Sequence, residues 1–361
     1  MTVISAPDQF NADDLYVDLA RVVGHPLFLK CEGFNFAGSV KLKAAKGMVD
    51  AAERDGRLHP WSVLVESSSG NLGVALAMIA ASRGYRFICV TDPRCNTTTH
   101  RLMEALGADV RVVDSPDGAG GYLATRIGYV RALVATDDRY LWLNQYVNPE
   151  NWRSHVSTTG PQIEAAFPAI DVLFVGAGTT GTLMGCARYF RQRPRPVRVV
   201  AVDSAGSVTF GDAPTPRLIP GLGTSVRPAL LDESLVDDVV HVAEPSTLEA
   251  CHLLARRGFL LGGSTGTVVA GATAWLSRHG DDDTVAVALA PDLGERYLDT
   301  VYRPAWLEEH FGDRLAAGAL ANPGVDDRLA AVGGIPLPSQ PGMPAPADGP
   351  VLDRPIPVGR F

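Results

Sequence analysis

Hydrophobic and polar positions in this chain segregate into blocks. Short β-branched runs, S-V-L-V-E (62–66), R-F-I-C-V (86–90), D-V-R-V-V (109–113), D-V-L-F-V (171–175), V-R-V-V-A-V (197–202) and T-V-A-V-A-L-A (284–290), are separated by stretches of helical composition. Helices are predicted over Asn71 to Arg83 and Thr97 to Gly107. A strand that is apolar at successive positions must be covered on both faces, and helices between strands supply that cover. The pattern therefore predicts an α/β fold built on mostly parallel sheet. Right-handed crossovers follow, and ligands belong at the carboxyl ends of the strands. The pattern stops near Asp313. Eight prolines fall between Pro336 and Pro357, so segment 313–361 cannot bury enough apolar surface to offset ordering and is expected to be a disordered tail.

Composition narrows the function class. With 361 residues the chain is long enough for two lobes, and a formal charge of −8 argues against a nucleic-acid surface. Its one basic run, R-Q-R-P-R-P at Arg191 to Pro196, is expected to join a helix to a strand. No apolar run reaches membrane-spanning length, and M-T-V-I-S-A-P-D at the start lacks the features of a secretion signal. Five scattered cysteines without C-x-x-C spacing predict neither a metal site nor a disulfide framework, and a reducing cytoplasm suits them. Cys31, Cys89 and Cys186 lie in apolar stretches as small core residues.

Lysine is used in one place. The chain has four lysines, Lys30, Lys41, Lys43 and Lys46, and every other basic side chain apart from histidine is arginine. An amine that must lose a proton and attack a carbonyl cannot be arginine, whereas chance survival of a few lysines needs no chemistry. Three polar loops stand between strands and helices. E-S-S-S-G-N-L-G (66–73) offers hydroxyls and N–H groups to a carboxylate or phosphate, or else caps a helix, for which one serine suffices. V-G-A-G-T-T-G-T (175–182) suits a phosphate cradled by backbone N–H groups, and it lacks the G-K-[ST] ending of a Walker loop. L-G-G-S-T-G-T (261–267) reads as a third site loop or a capped turn, with a flexible loop P-G-L-G-T-S (220–225) between. A lysine, a phosphate cradle and a carboxylate cradle together suit pyridoxal phosphate and an amino-acid substrate.

From about Gly24 to Tyr302 the chain resembles the cysteine synthase family of fold-type II pyridoxal-phosphate enzymes. The resemblance rests on A-G-S-V-K around Lys41, S-S-G-N-L-G (68–73), N-Q-Y-V-N-P-E-N-W-R-S-H (144–155), T-T-G-P-Q-I (158–163), G-T-T-G-T (178–182) and G-G-S-T-G (262–266), in the family's order. It implies a tryptophan synthase β-like fold of two lobes, each a mostly parallel sheet flanked by helices. The larger lobe would hold 1–44 and 150–312, and 45–149 would form a smaller mobile lobe. Lys41 is then the Schiff-base lysine. Asn71 bonds the cofactor's ring hydroxyl, Gly178, Thr179, Thr180, Gly181 and Thr182 hold its phosphate, and Ser264 faces the pyridine nitrogen, where a neutral serine makes a weaker electron sink than an aspartate. Ser68, Ser69 and Gln145 match positions that bind the substrate carboxylate. No metal is implied, and members are typically homodimers.

Further motifs, G-G-Y-L-A-T-R-I (120–127), A-V-D-S-A-G-S-V-T-F-G-D (201–212) and P-D-L-G-E-R-Y-L-D (291–299), are similar to one subgroup. Its enzymes make N-(2-amino-2-carboxyethyl)-L-glutamate, a 2,3-diaminopropionate precursor, from O-phospho-L-serine and L-glutamate. The resemblance implies β-replacement on an activated L-serine through an aminoacrylate, with Arg126 and Tyr146 on the phosphoseryl group. Sulfide or thiosulfate as nucleophile, with O-phosphoserine or O-acetylserine as donor, would instead make cysteine or S-sulfocysteine.

Overall fold

The computed structural model describes residues 3–117 and 121–312, and the expected tail 313–361 lies outside the described residues. In chain order the strands are β1 (Tyr16–Asp18), β2 (Leu27–Cys31), β3 (Val63–Ser67), β4 (Arg86–Thr91), β5 (Asp109–Val112), β6 (Tyr140–Trp142), β7 (Val172–Gly176), β8 (Arg198–Ser204), β9 (Asp238–Val242) and β10 (Ala286–Ala290). They form two sheets, ordered β1-β2-β10-β7-β8-β9 and β5-β4-β3-β6. Every pairing is parallel except that of the edge strand β1, which runs antiparallel to β2.

The uninterrupted apolar strands are explained by cover on both faces. In β7, Val172 and Phe174 face helices Glu244–Arg256 and Gly263–His279 through Leu254, Val268, Val269, Ala272 and Trp275. Their neighbours Leu173 and Val175 face the opposite side, where Leu183, Met184, Ala187 and Phe190 of helix Gly181–Arg191 pack. Each such buried side chain contributes about 1.5–3 kcal/mol relative to exposure. The smaller sheet repeats the arrangement, with Leu64, Phe87 and Cys89 under helices Lys41–Arg54 and Asn71–Arg83. On its other side Val63, Val65, Ile88 and Val90 meet Val130 of helix Leu123–Val134.

Register carries the site residues to one end of both sheets. Ala290 of β10 pairs with Cys31 of β2, so Asp292 and the Glu32–Val40 loop leave the sheet side by side. The Val40 N–H donates to the Pro291 carbonyl at 2.7 Å, and Ser39 bridges Asp292. In the smaller sheet Val65 pairs with Trp142, which sets Glu66 beside the chain that continues to Gln145. All of these are carboxyl ends of parallel strands, where loops turn into helices. No helix among the described residues is long and apolar enough to cross a membrane.

Candidate active site

Lys41 is the first residue of helix Lys41–Arg54, and the four lysines separate by what they touch. Lys30 and Lys43 are buried around the Glu32 carboxylate, at 3.4 Å and 2.8 Å, and Lys46 makes an exposed pair with Asp50. Lys41 alone has neither a hydrogen bond nor an ion pair among the described residues. Burial lowers its pKa and the nearby Asp292 charge opposes that shift. Its place at a helix N-terminus further favours the neutral amine. The turn before it depends on Gly38, at φ +65°, where a Cβ would meet the Arg296 guanidinium 2.9 Å away. Asn35 holds the same turn, donating to the carbonyls of Glu32 and Ser39 at 3.0 Å each.

Asp292 is the hub of the next group, a role that its sequence neighbours do not reveal. It is buried and accepts from Ser264 Oγ (2.6 Å), Tyr297 OH (2.5 Å) and Asn71 Nδ2 (2.8 Å). Ser264 is therefore not an isolated neutral group: its hydrogen goes to a carboxylate, leaving its lone pairs to face a ligand. The Asn71 amide is held at both ends, since its Oδ1 accepts from Arg296. Asp292 and its partner Tyr297 both stand in P-D-L-G-E-R-Y, but Ser264 and Asn71 are 28 and 221 residues away and only folding assembles them.

The Gly178–Thr182 loop lies next to this hub. A Cβ on Gly178 would be 3.1 Å from the Gly221 carbonyl, and one on Gly221 (φ +112°) 3.1 Å from Ser264 Cβ. At Gly181, where helix Gly181–Arg191 starts, a Cβ would meet Asn151 Oδ1 at 2.0 Å, so only glycine permits this approach. Thr180 holds φ +64°, a strained value for a β-branched residue, and its hydroxyl donates to the Thr179 carbonyl at 2.7 Å. Thr179 Oγ1 accepts from Asn151 Nδ2 at 3.1 Å and Thr182 Oγ1 is 3.2 Å from His155 Nε2. The Thr179 hydroxyl hydrogen and the N–H groups of a helix N-terminus are thus available to an anion, and the residues present fit a phosphate.

The remaining expected residues line the end of β3. Ser68 Oγ accepts from the Gly73 N–H at 3.0 Å and so caps helix Asn71–Arg83, whereas half-buried Ser69 has no hydrogen-bond partner among the described residues. Gln145 Nε2 and Tyr146 OH both donate to the Ser67 carbonyl, at 2.8 Å and 3.1 Å. Burial pushes the Tyr146 phenol up to about 12, with the Arg126 charge acting the other way. Arg126 is buried, and its Nε lies 3.2 Å from Asp92 without the alignment of a hydrogen bond.

Beneath them Glu66 is fully buried, and burial pushes its carboxyl up to about 7. Hydrogen bonds from the Ser67 N–H (2.8 Å), Trp142 Nε1 (3.0 Å) and the Gln145 N–H (3.1 Å) oppose the shift. In the unfolded chain this group ionises near 4.5. Between those two values the unfolded state binds fewer protons than the folded one, so stability falls as pH rises, by about 3 kcal/mol over the window. Denaturant midpoints measured across it should decline for the parent and stay level for Glu66→Gln. A parent midpoint that rises there contradicts the assignment.

The described residues contain no His, Cys, Asp and Glu cluster able to hold a metal ion. All five cysteines are unpaired, and burial pushes Cys31 up to about 11 and Cys186 and Cys251 up to about 12, which leaves these thiols inert.

Comparison with known proteins identifies the family and the fold. Residues 16–292 match the family described as pyridoxal-phosphate dependent enzyme. The chain is 42% identical over 298 residues to N-(2-amino-2-carboxyethyl)-L-glutamate synthase of Ralstonia nicotianae, covering 82% of this chain and 87% of that one. Among solved structures it is similar to a lysine-to-alanine variant of O-ureido-L-serine synthase with O-ureido-L-serine bound. That match has a TM-score of 0.77 and 31% identity, over 91% of this chain and 98% of the other. The O-acetylserine-dependent cystathionine beta-synthase of Helicobacter pylori, 24% identical with a TM-score of 0.77 over 84% of this chain and 100% of its own, shares the fold.

Proposed function

We infer the reaction from a premise now in place: the chain belongs to the pyridoxal-phosphate dependent enzyme family. It has the fold-type II architecture and carries out β-replacement on an activated serine. When bound, pyridoxal phosphate supplies an aldehyde that takes up amines and a conjugated ring that draws electron density from Cα, easing loss of the α-proton and the β-substituent. The observation that carries the site assignment is the Lys41 amine, unpaired and held toward neutrality by burial.

In this reading Lys41 would hold the aldehyde in the resting enzyme, and its amine, when free, would move the α-proton of the substrate. Thr179 and Thr182 donate hydroxyl hydrogens to the phosphate, while Gly178, Thr180 and Gly181 bring backbone N–H groups to it. Ser264, backed by Asp292, faces the pyridine nitrogen, and Asn71 faces the ring hydroxyl. Ser69, Gln145 and the Ser68 turn hold the substrate carboxylate. Arg126 and Tyr146 receive the phosphate of O-phospho-L-serine, and the acceptor is the amine of L-glutamate. The product is N-(2-amino-2-carboxyethyl)-L-glutamate, a reading supported by the relative of that name.

Segment 45–149, which carries the whole smaller sheet, acts as a mobile lobe against 1–44 plus 150–312. The chain works as a homodimer, and the exposed Phe34 and Phe36 near the Lys41 turn, with Phe10 edge-on to Phe36 at 6.1 Å, support a second copy there. Unpaired thiols suit the cytoplasm.

Mass spectrometry of the products from O-phospho-L-serine with L-glutamate, sulfide or thiosulfate in separate reactions tests the substrates. The expected result is a serine–glutamate adduct that has lost phosphate. Product with a sulfur nucleophile alone would make the enzyme a cysteine or S-sulfocysteine synthase.

A further inference from the structure

We propose that Lys43, Thr159 and His155 form a one-way hydrogen-bond relay that commits the Thr182 hydroxyl to donate toward the cofactor phosphate. The inference rests on the assignment of the Gly178–Thr182 loop to that phosphate, and it gives a second lysine of the Phe34–Lys46 segment a task.

The direction of each bond is set by the one before it. The Lys43 ammonium has three hydrogens and no lone pair, and three acceptors surround it: Gln162 Oε1 at 2.7 Å, Glu32 Oε1 at 2.9 Å and Thr159 Oγ1 at 3.2 Å. Thr159 Oγ1 must therefore accept from Lys43. Its single hydrogen has one recipient among the described residues, His155 Nδ1 at 2.9 Å. A nitrogen that accepts carries no proton. His155 is kept neutral, because burial lowers its pKa well below the usual range and the neighbouring Lys43 charge adds to that shift. Its one proton consequently lies on Nε2, which faces Thr182 Oγ1 at 3.2 Å and donates to it. The Thr182 hydrogen then has no acceptor among the described residues, and the half-buried side chain presents it to the site.

Burial makes the relay hard to reverse. Thr159 is 0% exposed, His155 1% and Lys43 8%, so solvent has little access from which to reorient a hydroxyl. Close packing holds the partners together: a Cβ on Gly185 would lie 2.4 Å from His155 Cβ. Thr179 is set the same way by a shorter route. The Asn151 amide donates to the Gln145 carbonyl at 2.8 Å and to Thr179 Oγ1 at 3.1 Å, so Thr179 also keeps its hydrogen for the ligand. Both hydroxyls are thereby fixed as donors, which suits a group made only of acceptors, a phosphate monoester dianion. Without the Lys43 end, Thr182 could turn its hydrogen to His155 and show lone pairs to the anion.

Two measurements test the relay. Nitrogen-15 NMR of the cofactor-loaded enzyme reports which ring nitrogen of His155 carries the proton, and the relay requires Nε2–H. An Nδ1–H tautomer overturns it, and this readout needs no variant. Titration of cofactor-stripped enzyme then compares pyridoxal phosphate with pyridoxal, which lacks the phosphate. Thr159→Val should weaken the phosphate form by about fivefold and leave pyridoxal unchanged, with Thr159→Ser restoring the parent value. Equal weakening of both ligands reduces Thr159 to a packing role and overturns the relay. If the parent enzyme does not distinguish the two ligands, the phosphate assignment of the loop fails and the relay falls with it, whatever the tautomer.

Discussion

Lys41→Ala should lower turnover on the order of 10⁴-fold, because the role proposed for it has one side chain both anchor the cofactor and move the α-proton. Lys41→Arg should be as inactive, although it keeps the charge, since a guanidinium does not give up its proton in a protein. Neither loss should come from misfolding. Lys41 makes no hydrogen bond or ion pair among the described residues, and burial already disfavours its charged form. Removing that amine should leave the cofactor-free protein as stable as the parent or slightly more so. Lys43→Met, two residues on, should do the opposite. It strips a buried partner from Glu32 and costs about 3 kcal/mol or more of stability. Thermal melts of the cofactor-free variants separate the two cases. A Lys41→Ala protein that melts far below the parent would mean that this lysine is structural.

Arg126→Met should raise the KM for O-phospho-L-serine by about 10–100-fold and change little with O-acetyl-L-serine, the span expected for loss of a charge-assisted bond to a dianion. Among the described residues the buried guanidinium has one ion pair, with Asp92, and that contact is poorly aligned, so it is not wholly committed to the protein. Truncating Arg126 alone leaves the nearly buried Asp92 carboxylate unpaired. The paired variant Arg126→Met with Asp92→Asn should keep the fold while still removing the proposed phosphate ligand. If the paired variant handles both donors as the parent does, Arg126 serves Asp92 and not the substrate.

Much of the fold was legible because it depends on local composition. The runs that became β3, β4, β7, β8 and β10 are continuous and apolar, as strands covered on two faces must be. Four strands gave no clear signal: β1, β6 and β9 are short or half-buried, and β2 is a buried strand whose apolar run is broken by Lys30. The site divides in the same way. Lys41 and the 178–182 loop stand out as candidates because their residue types are unusual where they stand. Asp292, Glu66 and His155 could not, since an aspartate, a glutamate or a histidine is ordinary in sequence and acquires its role from partners brought up by the fold. Ser68 has a second task that its position in the sequence does not reveal, since its hydroxyl also accepts from an N–H of the helix that follows.

The account centres on one amine, and trapping the cofactor tests it most directly. Borohydride reduction of the cofactor-loaded enzyme, followed by proteolysis and peptide mapping, reads which of the four lysines carries the pyridoxyl group. The expected outcome is a label on Lys41 alone. A label on Lys30, Lys43 or Lys46, or on none of the four, would contradict it.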